Sequence, residues 1–139
     1  MTCASVAVDG STVGGIGRGL MVLVGFRKGD DEAGLAWMAT KLLGLRIFED
    51  AQQRMNLDVS EVGGELLLVP QFTLYGDCRK GRRPGFDEAL EPVAAAALFD
   101  RFCALCAAQG SPPQRGVFGA HMQVTLTNDG PVTIILDSP

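Results

Sequence analysis

The sequence is poor in the side chains that usually carry hydrolytic chemistry. It has one histidine, one tryptophan and one tyrosine in 139 residues, and aromatics make up only 6%. His121 is thus the only imidazole that could act as the base of a Ser-His-Asp triad, and no G-x-S-x-G turn is present to expose a nucleophile. A lone histidine beside a strand reads as structural. Long apolar runs are also lacking. None approaches the ~20 residues that span a bilayer. The opening Met1-Thr2-Cys3-Ala4-Ser5-Val6 has no basic region and no long apolar core, so no signal peptide is expected. Motifs for a metal, a nucleoside triphosphate, a flavin or any other cofactor are not found. The glycines at 14, 15, 17 and 19 contain G-x-G but do not complete G-x-G-x-x-G before a helix.

Cysteine is sparse and unevenly spaced, at Cys3, Cys78, Cys103 and Cys106. The C-x-x-C at 103–106 resembles half a zinc site or a redox pair. It stands in an Ala-rich helical stretch without a second C-x-x-C, so two small buried residues on a helix face explain it better. The cysteine usage fits a reducing cytosol and a cytoplasmic protein. Positive charge is in the minority. The net charge is −4 and the pI near 4.9, which argues against a general nucleic-acid coat protein and against DNA as a partner. Yet Arg79, Lys80, Arg82 and Arg83 fall within five residues. Such a cluster is either a solvated loop or a local hold on a phosphate backbone.

What is present suits one soluble domain over 1–139, with 47% hydrophobic residues. A domain of this length buries about two-thirds of its unfolded surface and needs no staple. Ala4 to Val8 alternates as a strand and Asp9-Gly10 turns it; the glycines that follow read as a hairpin or bulge. Leu20 to Phe26 reads as a buried strand. Gly29-Asp30-Asp31 starts a helix whose face carries Leu35, Met38, Leu42 and Leu45, and the adjacent acids serve the helix dipole. Glu65 to Leu74 reads as a second long buried strand interrupted by Pro70, which marks an edge, a bulge or the end of pairing. A second helix runs from near Pro92 to about Gln109, with Leu98, Phe102, Leu105 and Cys106 on its core face. Gly110 to Gly116 is a turn-rich linker. Met122, Val124 and Leu126 mark a half-buried strand, and Val132, Ile134 and Leu136 repeat the pattern. The fold class is α+β: a mostly antiparallel sheet or barrel with two helices.

Two short segments stand out. One is Val69-Pro70-Gln71-Phe72-Thr73-Leu74-Tyr75-Gly76-Asp77, the other Asn128-Asp129-Gly130-Pro131-Val132-Thr133. Together they resemble the two signatures of the D-aminoacyl-tRNA deacylases, roughly S-Q-F-T-L and N-x-G-P-V-T. The second matches in full and the first with Pro70 for Ser. Further segments match in order: Gly15-Ile16-Gly17-Arg18-Gly19-Leu20, Leu45-Arg46-Ile47-Phe48, Met55-Asn56-Leu57, Arg83-Pro84-Gly85-Phe86 with Gly85 for Ser, and Gly116-Val117-Phe118 through Met122-Gln123-Val124.

The resemblance implies a homodimeric, metal-independent enzyme. It would hydrolyse the ester of D-aminoacyl-tRNA and of mischarged glycyl-tRNA, and reject L-amino acids. Gln71 and the amides of Phe72 and Thr73 would surround the ester carbonyl, with the 2′-hydroxyl of the terminal adenosine as activator and Thr73 a lesser candidate nucleophile. Gly130-Pro131 would be a cis-peptide chiral filter inserted from the partner subunit; read without the resemblance, Asp129-Gly130 is an ordinary hairpin turn. Pro70, Met122, Asn128 and Thr133 would line the substrate site, and Arg79, Lys80, Arg82 and Arg83 would hold tRNA.

Two departures matter. Pro70 removes a hydroxyl and a backbone donor; a vertebrate-type deacylase of relaxed chirality also has Pro there, followed by Gln-Ala. Family members also carry a strand ending Q-R-V before the residues matching Thr2 to Val6. Here Met1 stands where that Val would be, and the favoured reading is a start codon assigned too late. The rival functions are the same hydrolysis relaxed toward L-alanyl- and glycyl-tRNA, and a non-catalytic tRNA-binding dimer.

Overall fold

The computed structural model describes all 139 residues. Strands β1 (Cys3–Val8) and β2 (Ser11–Ile16) form a hairpin. Its two-residue turn puts Asp9 at φ 50° and Gly10 at φ 79°, the left-handed geometry that suits a tight hairpin. Val6 pairs with Gly14 but Ala7 with Thr12, so Val13 is the extra residue of a bulge. The glycines after it do not close a second hairpin. At Gly17-Arg18 the chain leaves one sheet for another, and β3 (Gly19–Val24) pairs elsewhere.

β3 lies parallel to β6 (Glu65–Pro70), which lies parallel to the short β7 (Gln114–Arg115). The first sheet has the order β2-β1-β8, with β8 at Gln123–Thr127, and is antiparallel throughout. A small antiparallel pair, β4 (Phe48–Glu49) and β5 (Met55–Leu57), stands apart. Antiparallel pairing thus accounts for three of the five strand pairs. The parallel sheet was not foreseen. Its crossover from β3 to β6 contains α1 (Glu32–Gly44), as a parallel connection requires.

α1 begins where expected. Asp31 is its N-cap and accepts a hydrogen bond from the Gly34 amide at 2.9 Å, while Asp30 accepts from the Arg27 amide at 2.8 Å. The two acids therefore serve the helix entry. α2 (Pro92–Ala108) has Pro92 in its first turn and Glu91 capping the amides of Val93 and Ala94. Arg101 of α2 pairs with Glu32 of α1 at 2.6 Å.

β6 is buried on both faces, which is why it reads as Leu66-Leu67-Leu68-Val69 without alternation. Leu66 and Leu68 face the helices, packing with Phe26, Leu35, Ala39, Leu42, Phe99 and Phe102. Leu67 and Val69 face the other sheet, with Ala4, Val6 and Ile16. The layers run helices, parallel sheet, antiparallel sheet. Cys103 and Cys106 are buried in the helical layer, and burial pushes the Cys106 thiol up to about 11. That fits a packing role.

Three expectations change. The strand over Leu20 to Phe26 stops at Val24 and is only half-buried, because β3 is an edge of its sheet. The strand expected through Leu74 ends at Pro70. Val132 to Leu136 forms no strand, and Ile135 is 86% exposed. Its alternation is real, but no strand of this chain pairs with it.

β3 and β6 leave no room for a side chain at Gly19. A Cβ there would collide with the Glu65 carbonyl oxygen and lie 2.6 Å from its nitrogen. Gly19→Ala should therefore cost about 3 kcal/mol or prevent folding. Gly15→Ala, whose Cβ would meet nothing nearer than 3.7 Å, should be neutral or gain up to about 1 kcal/mol. Urea midpoints of the two variants check the contrast; equal midpoints would contradict the inferred contact.

Candidate active site

The first signature sits where β6 runs out. Pro70 is the last residue of the strand and has no N–H to extend the ladder. The Gln71 amide still donates to the Val24 carbonyl of β3 at 2.8 Å. The chain then turns into a short 3-10 helix, Phe72–Tyr75, and the Gly76 amide closes it on the Thr73 carbonyl at 3.0 Å. The first amides of a helix have no partner inside it. Here neither the Phe72 nor the Thr73 N–H finds an acceptor anywhere in the chain. Both residues are exposed, and these two adjacent backbone donors have no partner within the chain. The Gln71 side-chain amide donates to the Thr73 hydroxyl, which holds both polar groups beside those donors.

Close backbone packing fixes the turn. A Cβ on Gly25, just past β3, would lie 3.1 Å from the Gln71 carbonyl oxygen and 3.2 Å from Leu74 Cβ. A Cβ on Gly76 would lie 3.0 Å from the Thr73 carbonyl oxygen and 3.2 Å from Phe86. The Phe86 ring meets Phe72 edge-on, with centroids 5.1 Å apart and planes at 62°. Gly25, Gly76 and Phe86 were not among the expected site residues. Phe86 lay in a matched segment, but nothing in the sequence says that it faces Phe72.

Met122 is half-buried and packs against the core between the sheets. A Cβ on Gly116 would meet Met122 Sδ at 2.8 Å and Pro70 Cδ at 3.4 Å. Met122 and Pro70 therefore flank the same bare glycine, beside the start of the turn. Tyr75 closes the turn half-buried, and its hydroxyl pKa is raised, first by burial and then by the charge of Asp30.

The second signature is a separate, self-contained turn. Its Gly130-Pro131 peptide is cis. Asn128 spans it: its side-chain oxygen accepts from the Val132 amide at 3.1 Å and its nitrogen donates to the Thr133 hydroxyl at 3.0 Å. Gly130 has φ 133°, and a Cβ there would lie 2.9 Å from Val132 Cγ2. The ordinary Asp-Gly hairpin is not formed, since no strand follows. Within one chain no hydrogen bond joins this turn to Gln71, Phe72 or Thr73.

The cationic loop is closed by a two-way backbone bridge: the Asp77 amide donates to the Gly85 carbonyl at 2.7 Å and the Gly85 amide to the Asp77 carbonyl at 2.8 Å. Arg79 is tied back to Asp77 through two side-chain hydrogen bonds of 2.9 and 2.7 Å, which pull the Asp77 carboxyl down to about 2. Lys80, Arg82 and Arg83 are exposed and form no ion pair. The four expected cations thus divide into one neutralised and three free. His121 is exposed and hydrogen-bonds no side chain that could complete a triad.

The sequence model of the family described as D-Tyr-tRNA(Tyr) deacylase matches residues 1–137. A D-aminoacyl-tRNA deacylase of Myxococcus xanthus is 56% identical over 136 residues, covering 98% of this chain and 89% of that protein. One from Geobacter sulfurreducens is 57% identical over 135 residues, covering 97% and 89%. A solved structure described as a c-Myc DNA unwinding element binding protein is 40% identical, with a TM-score of 0.94, and covers 99% of this chain and 94% of its own. A second, described as a probable eukaryotic D-amino acid tRNA deacylase, is 22% identical and shares the fold, with a TM-score of 0.74 over 90% of this chain and 88% of its own. On the family match and these identities, the chain belongs to the D-Tyr-tRNA(Tyr) deacylase family and is a hydrolase of that class.

Proposed function

We propose that this enzyme removes D-amino acids, and glycine where it is mischarged, from the 3′ end of tRNA in the cytoplasm, and spares L-amino acids. Water adds to the ester carbonyl carbon, the bond to the ribose oxygen breaks, and that oxygen leaves with a proton. The products are the free amino acid and tRNA. The observation that carries the reading is the adjacent pair of N–H groups of Phe72 and Thr73, which no group in the chain satisfies. Donors fixed in advance around a carbonyl oxygen stabilise the charge that develops on it, by about 3–4 kcal/mol for one donor. The 2′-hydroxyl of the terminal adenosine relays the proton, so no protein base is required. Thr73 holds the weaker claim to be a nucleophile, since its hydroxyl is bonded to the Gln71 amide and to no base.

The active form is a homodimer in which the Gly130-Pro131 turn of one subunit closes the site of the other. Supporting this are the lack of any link between the two signatures within one chain, and the exposed Val124, Leu126, Ile134 and Ile135 near the second. No cofactor is used. Three free cations on the loop would hold tRNA phosphates. One solved relative is described as binding a DNA element; at a formal net charge of −4 this chain is better suited to a local phosphate contact than to coating a duplex.

Hydrolysis of D-tyrosyl-, L-tyrosyl-, glycyl- and L-alanyl-tRNA, measured side by side, tests the reading. Loss of the D and glycyl esters with both L esters spared is expected. Loss of L-alanine as well would mean that Pro70, against Met122 at the start of the turn, relaxes selectivity. Tight tRNA binding without any turnover would replace the enzyme with a binding dimer.

Gly130→Ala places a Cβ against Val132 at a backbone angle that L side chains rarely adopt. It should cut the ratio of D-tyrosyl to L-tyrosyl turnover by about tenfold or more. Unchanged discrimination would remove Gly130 from the filter.

Arg82→Ala with Arg83→Ala should weaken tRNA binding and reduce the slope of log affinity against log salt by about 1.5. An unaltered slope would return these arginines to the role of solvated loop residues.

A further inference from the structure

We propose that Phe86 is a positioning residue: its ring holds Phe72, and through it the two unpartnered amides, in register with the cationic loop. The proposal rests on the oxyanion reading above.

Phe86 is itself firmly planted. On its N-terminal side Gly85 is locked to Asp77 by two backbone hydrogen bonds. On its C-terminal side the Leu90 amide donates to the Phe26 carbonyl at 3.0 Å, and the Glu88 carbonyl accepts from the Lys28 amide at 3.0 Å. The segment is thus fastened to the chain that follows Gly25, the glycine on which the turn leans. Gly76 permits the approach, because any side chain there would meet Phe86 and the Thr73 carbonyl together. Phe86 belongs to neither buried cluster and is 37% exposed, so core stability does not explain its position. Phe72 is 57% exposed, and its backbone N–H is one of the proposed donors. The Gln71–Val24 hydrogen bond and the close approach of Gly25 hold the backbone at Gln71 and Leu74, but neither touches the exposed Phe72 side chain. The edge-on contact does.

The same geometry joins two tasks. Lys80, Arg82 and Arg83 lie inside the stretch closed by the Asp77–Gly85 bridge, and Phe86 follows immediately. A phosphate gripped by that loop is therefore held at a fixed offset from the ester site, with the aromatic pair as the link.

Two readouts test this. In the free protein, 15N relaxation should show the Phe72 and Thr73 amides rigid in the parent, with order parameters of about 0.85, falling below about 0.6 in Phe86→Ala. With D-tyrosyl-tRNA, Phe86→Ala should lower kcat on the order of 10–100-fold, leaving KM within about twofold and the salt slope unchanged. Phe86→Tyr, which keeps the ring, should restore both readouts. Phe86→Leu fills similar volume without a ring edge and should fail like Phe86→Ala while melting like the parent; it serves if the alanine variant does not fold. Phe72→Ala combined with Phe86→Ala should be no slower than the worse single variant, because one contact is lost in each case.

Unchanged amide order parameters would overturn the proposal, as would losses that multiply in the double variant. A raised KM at constant kcat would also overturn it, since the ring would then touch tRNA directly. A parent without turnover would instead sink the oxyanion reading, and the relaxation measurement alone would still decide whether Phe86 holds the turn.

Discussion

The structure around the site depends on how strand β6 ends. β6 is held on both edges by parallel neighbours and buried on both faces, so its path is fixed by four consecutive apolar side chains. Such a strand cannot stop gradually. At Pro70 the ladder loses its donor, the Gln71 amide makes one last bond to β3, and the chain enters a 3-10 turn whose first amides have nothing to bond. Two free N–H groups at a buried strand's end are a consequence of those constraints. The packed core therefore sets the site's position, and a proline determines where pairing stops.

What could be read from the sequence follows from how local each signal is. Asp31 and Pro92 start helices through their own side chains and backbone, so both helices were legible to within a residue or two. Asp9-Gly10 likewise carries its own turn. The pairing of β3 with β6 was not legible, because 40 residues separate the two and a buried apolar run looks alike in parallel and antiparallel sheets. Gln114 and Arg115 are polar, and they form a strand only because β6 offers an open edge. Val132 to Leu136 shows the opposite case. Its alternation is that of a strand, yet a strand also needs a partner, and this segment pairs with no edge of either sheet.

The candidate site was legible in the same uneven way. Gln71, Phe72, Thr73, Gly130 and Pro131 stand out because their segments match family signatures. Arg79 read as a cation like its neighbours, whereas Asp77, two residues earlier, neutralises it. Gly25 and Phe86 could not be found from the signature, since each acts by approaching the turn from a distant part of the chain. A backbone donor leaves no trace in the sequence. Only the residues that shape the backbone do, and those are glycines and a phenylalanine without reactive groups.

This bears on why so little conventional chemistry is present. The one histidine is exposed without a triad partner, and burial pushes the Cys103 and Cys106 thiols up, so no side-chain nucleophile is paired with a base. The proposed catalysis through peptide N–H groups does not need one. It does require that the donors keep their positions, because a peptide group cannot be made stronger by substitution. The demand falls on packing: Gly25 against Gln71 and Leu74, Gly76 beneath Phe86, and Phe86 against Phe72. The approaches leave no free room for a Cβ at either glycine and come from three separate segments. An acidic molecule can still attract its substrate under this arrangement. At physiological salt the screening length is about 8 Å, so on the proposed reading three free cations on a neighbouring loop act on a phosphate nearby, while charges farther away than that are screened from it.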